Sequence, residues 1–254
     1  MKVLKKNFLE VFDPIELAIN YFQEGELDEA CWLLFLYSYI GKHPKYEWNL
    51  LKKVYYKSDT DLWNWKNINN NFEIFENWLV ENLLKIKDRA GFGEYHKYSH
   101  FDNSKITVMC KDIHEYIKWV KESKNHECLL ENAKTYNSEP SKVFHALYKS
   151  IDNKTSFNKL IKFTYLTLNG NLGIFPIKVG HSYLNDFILS KRGAQYLFEN
   201  KNRKKISLDK LNELLILLSD YLDLNEGLQI LQKILATWGE EKFRKERQSF
   251  KKYH

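Results

Sequence analysis

The chain has 254 residues, with 39 Lys and Arg against 33 Asp and Glu, which leaves a formal net charge of +6. Hydrophobic residues at 44% and charged residues at 28% are those of a globular chain, while 10 Gly and 4 Pro fall below the roughly 7% and 5% of average proteins. This excludes collagen-like and low-complexity readings and argues against an all-β fold, which consumes both residues in its turns. Asp13-Pro14 opens the first helix, an acceptor at the N-cap followed by proline at the first helical position. Glu26 to Ile40 is the first strongly apolar helix, stopped by Gly41 and Pro44. Its run from Ala30 to Ile40 is about half the 20 residues of a bilayer span and reads as a buried core helix. Trp48, Leu51, Val54 and Tyr55 repeat at helical spacing, as do Phe72, Phe75, Trp78, Leu79 and Leu83. Helices are also predicted from Ser138, from Ser156 through Leu168, from Ser207, and after an Asn225 cap. With about ten helices and no hairpin, the expected fold is all-α. It is expected as one domain over 1–254, with a possible lobe boundary near 121–137 and a basic tail at 240–254.

Other classes are excluded by what is missing. Cys31, Cys110 and Cys128 are too few and odd in number for a disulfide framework. The first residues, MKVLKKNFLEVFDPIE, have no unbroken apolar stretch of an export signal, so a cytoplasmic protein is expected. Cys110 with His114, His126 with Cys128, and His96 with His100 do not fall at zinc-site spacings, and no metal or cofactor is expected. No phosphate-binding GxxxxGK[ST], nucleophile elbow or dinucleotide fingerprint occurs.

Three glycine-marked loops carry the polar chemistry. Gly41-Lys42-His43-Pro44-Lys45-Tyr46 places two cations, an imidazole and an aromatic ring within six residues, a set suited to phosphate contact and base stacking. Gly91 to His100 repeats the theme with His96, Lys97 and Tyr98. Its glycines allow close backbone approach, and Glu94 and His96 are candidates for moving protons. Gly170 and Gly173 have the spacing of a helix-connecting turn whose N–H groups could meet a DNA phosphate, with Asp186 following as a carboxylate for an electron-poor sugar. Each has a plain alternative: a solvated turn, an exposed loop, a surface acid. Lys201–Lys205 and the tail are further basic stretches that suit a phosphate backbone or a solvated surface equally.

Four segments, in order, resemble the alpha-glutamyl/putrescinyl thymine pyrophosphorylase-like family. EACWLLFLYSYIGKHPKYEW is similar to its WL-x-FL-x-x-x-FGKH segment, GFGEYHKYSH to FG-x-HRKYES, FPIKVGHSYLNDFILSKRGAQYLF to a block ending GA-x-x-LF, and GLQILQKILATW to the closing block. The resemblance implies an all-α fold related to helix-hairpin-helix DNA glycosylases, acting on bulky modified pyrimidines in phage-type DNA. The pocket or DNA-contact positions it implies are Gly41, Lys42, His43, Gly93, His96, Lys97, Tyr98 and Tyr183. Tyr39-Ile40 and Gly180 depart from the pattern, the latter standing where an acid precedes the Tyr-Leu pair.

The expected activity is a glycosylase-like excision of a modified base to leave an abasic site, in antiviral defence. Asp186, Glu94 and His96 would be catalytic, and Lys42, His43, Lys45, Tyr46, Lys97, Tyr98, Gly170, Gly173 and Tyr183 would touch DNA. The expected partner is double-stranded DNA with modified bases, met by a monomer. The rivals are a non-catalytic nucleic-acid binder and a base-exchange or pyrophosphorolytic transferase.

Overall fold

The computed structural model describes residues 12–58, 60–97, 99–135, 137–154, 158–199, 205–224 and 226–252. Among them the fold is all-α: thirteen α-helices, one 3-10 turn, and three isolated bridges with no sheet. No helix of the described residues is long and apolar enough to cross a membrane. The predicted caps at Asn225 and Ser156 lie outside the described residues.

The chain divides into two compact units, residues 1–138 with 146–177, and residues 139–145 with 178–254. The first is built around α2 (Leu27–Ile40), which is buried on every side from Glu29 to Ile40 except at Tyr37. A helix apolar all round must be enclosed. The elements that enclose it are α1 (Pro14–Gln23), α3 (Asn49–Tyr55), α4 (Trp65–Asn70), α8 (His126–Lys134) and α10 (Lys159–Asn171). Farther out, α5 (Phe72–Glu81) packs on α6 (Leu83–Lys87) and on α7 (Asn103–Lys121). The short helices α4, α6 and α8 are additions to the elements predicted from periodicity, because helices of five to nine residues leave too few apolar repeats to register.

Caps start these helices where side chains allow. Asp13 accepts from the Ile15 and Glu16 amides, and Pro14 occupies the first position of α1. Asn64, Asp102 and Asn125 do the same for α4, α7 and α8. Each such cap is worth about 1 kcal/mol.

Aromatic residues, 15% of the chain, fill the centre of this unit. The Tyr116 ring stacks 3.9 Å from Phe35 and meets Tyr165 edge-on at 5.6 Å, with Trp32 and Trp65 alongside. Burial favours a partner for each polar handle. Trp32 Nε1 donates to the Trp63 carbonyl at 2.8 Å, and the Tyr39 hydroxyl donates to Asp112 at 2.9 Å. The Tyr116 hydroxyl meets His126 Nε2 at 2.7 Å, and His126 Nδ1 donates to Asp28 at 2.5 Å.

The second unit holds α11 (Ile188–Phe198), α12 (Leu208–Tyr221) and α13 (Gly227–Lys252). Its core is Leu184, Ala194, Leu211, Leu215, Leu231 and Leu235. Ser207 caps α12 as predicted, accepting from the Lys210 amide. The division falls within α9 (Pro140–Lys154), whose first turns count with the second unit and whose remainder counts with the first.

Candidate functional site

The last turn of α2 leaves carbonyls that its own helix cannot satisfy. Gly41, at φ +70°, donates its amide to the Tyr37 carbonyl and turns the chain out of the helix. The Gly93 amide donates to the Ile40 carbonyl at 2.7 Å, and His96 Nε2 donates to the Tyr39 carbonyl at 2.9 Å. Two predicted loops therefore meet at one helix end: residues 41–47 leave it, and residues 91–100 cap it. The crossing is backbone on backbone. A Cβ on Gly93 would stand 2.7 Å from the Gly41 carbonyl carbon and 2.8 Å from the Lys42 amide, and one on Gly91 would stand 3.0 Å from the His43 ring.

His43 is held in this crossing. Its Nδ1 accepts from the Lys45 and Tyr46 amides at 3.1 Å each, which places the ring proton on Nε2. Its ring stacks 4.7 Å from Tyr46, and burial, helped by the nearby His100 and Lys45, holds its pKa below the usual histidine value. His96 is half-buried between Tyr39 and Phe92, and burial likewise lowers its pKa. Both imidazoles are thus neutral at pH 7, with His96 committed to the helix-end carbonyl. Lys42 forms an ion pair with Glu47 at 2.6 Å, both side chains more than half exposed. Lys45 is exposed, 5.3 Å from the Tyr46 ring centroid. Lys97 is exposed in the left-handed region at φ +53°, and Glu94 is exposed at the start of the 3-10 turn. Tyr98 lies outside the described residues.

An open groove of about 280 Å³ adjoins the turn. Phe12, Asp13, Lys42, Glu47, Trp48, Asn49 and Lys52 line it, and the Trp48 ring lies 4.7 Å from Tyr37. The helical spacing places Trp48 on a buried face and does not single out Asn49 or Lys52. A Lys-Lys pair one turn after an aromatic was the available signal.

The remaining predicted residues lie elsewhere. Gly170 is inside the last turn of α10, and Gly173 follows at φ +69° with its amide donated to the Gly170 carbonyl. A Cβ on Gly170 would stand 2.5 Å from the Ile177 carbonyl oxygen. This turn thus ends a helix, where carbonyls rather than amides face outward, and α11 starts only at Ile188.

Tyr183 and Asp186 belong to the second unit. Tyr183 is buried at φ +49°, a backbone conformation that a bulky residue adopts only when its surroundings impose it. Its amide donates to His181 Nδ1 at 2.9 Å, and its hydroxyl lies 3.3 Å from His145 Nδ1. Asp186 is half-buried, its backbone amide closing the turn by donating a hydrogen bond to the Tyr183 carbonyl at 2.9 Å. A Cβ on Gly180 would stand 2.5 Å from the Ser141 Cβ, so this position has no room for a side chain. His126 is fully buried on Asp28 and Tyr116, and burial pushes the Cys110 thiol up to about 12. Among the described residues no three His, Cys, Asp or Glu side chains gather where they could hold a metal.

A family model described as alpha-glutamyl/putrescinyl thymine pyrophosphorylase clade 3 matches residues 2–251. No curated protein and no solved structure matches the chain.

Proposed function

The chain belongs to the alpha-glutamyl/putrescinyl thymine pyrophosphorylase clade 3 family, and from that membership we propose that it is an enzyme acting on a modified thymine in DNA, exchanging the base's substituent with pyrophosphate. In this exchange the bond joining substituent to base breaks, a bond to a pyrophosphate oxygen forms, and the departing group takes a proton. The reverse direction releases pyrophosphate. The match across 2–251 carries the reading. The crossing of the two glycine loops supports it chemically. Lys42, Lys45 and Lys97 supply positive charge for phosphate oxygens, the Nε2–H of His43 is a neutral donor, and the Tyr46 ring offers a stacking face. Tyr183, with His145 on its hydroxyl, and Asp186 are the groups of the second unit suited to moving a proton.

Hydrolytic excision of the base, with Asp186 stabilising the sugar cation, is the second reading. The acid that the resemblance places at Gly180 is absent and Ser141 occupies the space it would need, which leaves Asp186 as the carboxylate of this segment in either reading. The two readings separate in one assay. Duplex DNA carrying glutamyl- or putrescinyl-thymine is incubated with and without pyrophosphate, then digested for nucleoside mass spectrometry and probed for abasic sites. Pyrophosphate-dependent loss of the substituent with the glycosidic bond intact is the expected result. Abasic sites formed without pyrophosphate would establish excision, and no change on any modified duplex would overturn both.

A further inference from the structure

The exposed cations of the first unit continue beyond the loops that the sequence singled out. Lys53 on α3 donates its ammonium to the carbonyls of Lys85 and Asp88, and Asn49 donates its side-chain amide to the Arg89 carbonyl at 3.2 Å. These bonds lock α6 and the residues after it onto α3, with Arg89 fixed in the left-handed region at φ +48°. The backbone of 85–89 is thus clamped from within, while the side chains of Lys85, Lys87 and Arg89 are exposed. None of the three has an ion-pair partner among the described residues, in contrast to Lys42 with Glu47. One of these two α3 residues, Asn49, also borders the groove, which Lys52 and Lys42 line beside it. Two residues past Arg89, Gly91 lies against the His43 ring.

We propose that Lys85, Lys87 and Arg89 form a cationic ridge that holds the phosphate backbone of double-stranded DNA and leads it to the Gly41–Glu47 turn. The proposal rests on the modified-thymine reading for the identity of its polyanion. A structural role for these charges would show them paired with carboxylates or spent on helix-end carbonyls. That task falls to Lys53 instead. A duplex presents one negative charge per about 1.7 Å of its axis, so unpaired cations along a fixed backbone segment can each displace a condensed counterion.

The test compares full-length wild type, a Lys85→Gln/Lys87→Gln/Arg89→Gln variant, and a charge-matched Lys66→Gln/Lys111→Gln/Lys118→Gln variant on α4 and α7. Binding to an unmodified 20-base-pair duplex is measured by fluorescence anisotropy from low to physiological salt, with melting curves to confirm that each variant folds. The ridge variant is expected to lose roughly two to three from the slope of log affinity against log salt, about 0.9 per phosphate contact. Its affinity should fall at least about tenfold, while the control keeps a near wild-type slope. An unchanged slope in the ridge variant, or an equal loss in the control, overturns the proposal. So does wild-type binding to phosphatidylserine vesicles in place of the duplex. The two readings fail separately: a ridge effect on a duplex whose modified thymine is never converted would leave the surface standing and remove the activity, and conversion with an unchanged slope would do the opposite.

Discussion

Glu29 carries a carboxylate into the core in the first turn of α2, accepting from the Tyr55 hydroxyl and the Trp65 amide at 2.6 Å each. Burial outweighs both bonds and pushes its pKa up to about 7. A carboxyl raised from 4.5 to about 7 on folding gives stability that is full below the unfolded value and is lost as pH rises through about 7, a change of about 3 kcal/mol. Glu29→Gln, which keeps the shape of the protonated acid, should remove that loss. In denaturant titrations between pH 5 and 8, wild type is expected to lose stability relative to the variant as pH rises, and parallel curves would refute the assignment. The buried histidines act in the opposite sense. His126, His96 and His43 all have pKa values lowered by burial, so stability drops as pH falls below about 6.5 in wild type and variant alike, and the difference between the two isolates Glu29. Gly93 sets a steric limit at the same helix end. Gly93→Ala puts a methyl group within 2.8 Å of three backbone atoms of Gly41 and Lys42, none of which can rotate away. Overpacking of this kind costs about 1–3 kcal/mol, read as a lowered melting midpoint.

Helix pairs are governed by the same close approaches. In the second unit α11 and α13 cross where a Cβ on Gly193 would stand 2.1 Å from the Leu235 carbonyl oxygen and one on Gly239 would stand 2.4 Å from the Leu189 carbonyl oxygen. The pair brings two backbones together along faces that bury Ala194, Leu231 and Leu235. Gly193→Ala should force the helices apart, with loss of amide-exchange protection across α11–α13 and wild-type protection retained in α2. Uniform loss would show that the crossing supports the whole chain rather than its own unit. Gly193 stood in the sequence only as part of the GA-x-x-LF block and Gly239 not at all, because each sits inside a helical pattern and reveals its purpose only through a partner 42 or 50 residues away. The helix-bounding signals were local and therefore legible: Asp13-Pro14, the all-apolar run before Gly41, and Ser207. Gly91 and Gly93 likewise marked a close approach, but not that Gly93 meets Gly41 and Gly91 meets the His43 ring. His96 is the instructive case. Its loop context suggests proton transfer, whereas its Nε2 is bound to a carbonyl 57 residues earlier, a contact no spacing encodes.

At the scale of the molecule, a net charge of +6 is too small to attract a polyanion by itself, so any affinity for DNA must come from where the charges lie. The first unit places Lys42, Lys45 and Lys97 on the two loops at the end of α2 and Lys52 on the groove beside Lys42, with Glu47 as the carboxylate that neutralises Lys42. That ion pair competes with a phosphate for the same ammonium. Being exposed, it contributes little to stability. Removing the acid should thus leave folding nearly untouched while freeing Lys42. Glu47→Gln keeps the bridge between residues 43 and 47, which is made by backbone atoms alone. The variant is expected to bind a duplex several-fold more tightly than wild type, with a salt slope steeper by up to about one, the signature of one added phosphate contact. The gain should vanish in a Glu47→Gln/Lys42→Gln double variant, since the effect runs through Lys42. A tighter complex that persists in the double variant would mean that Glu47 acts by general repulsion, and the turn would lose its claim to a phosphate.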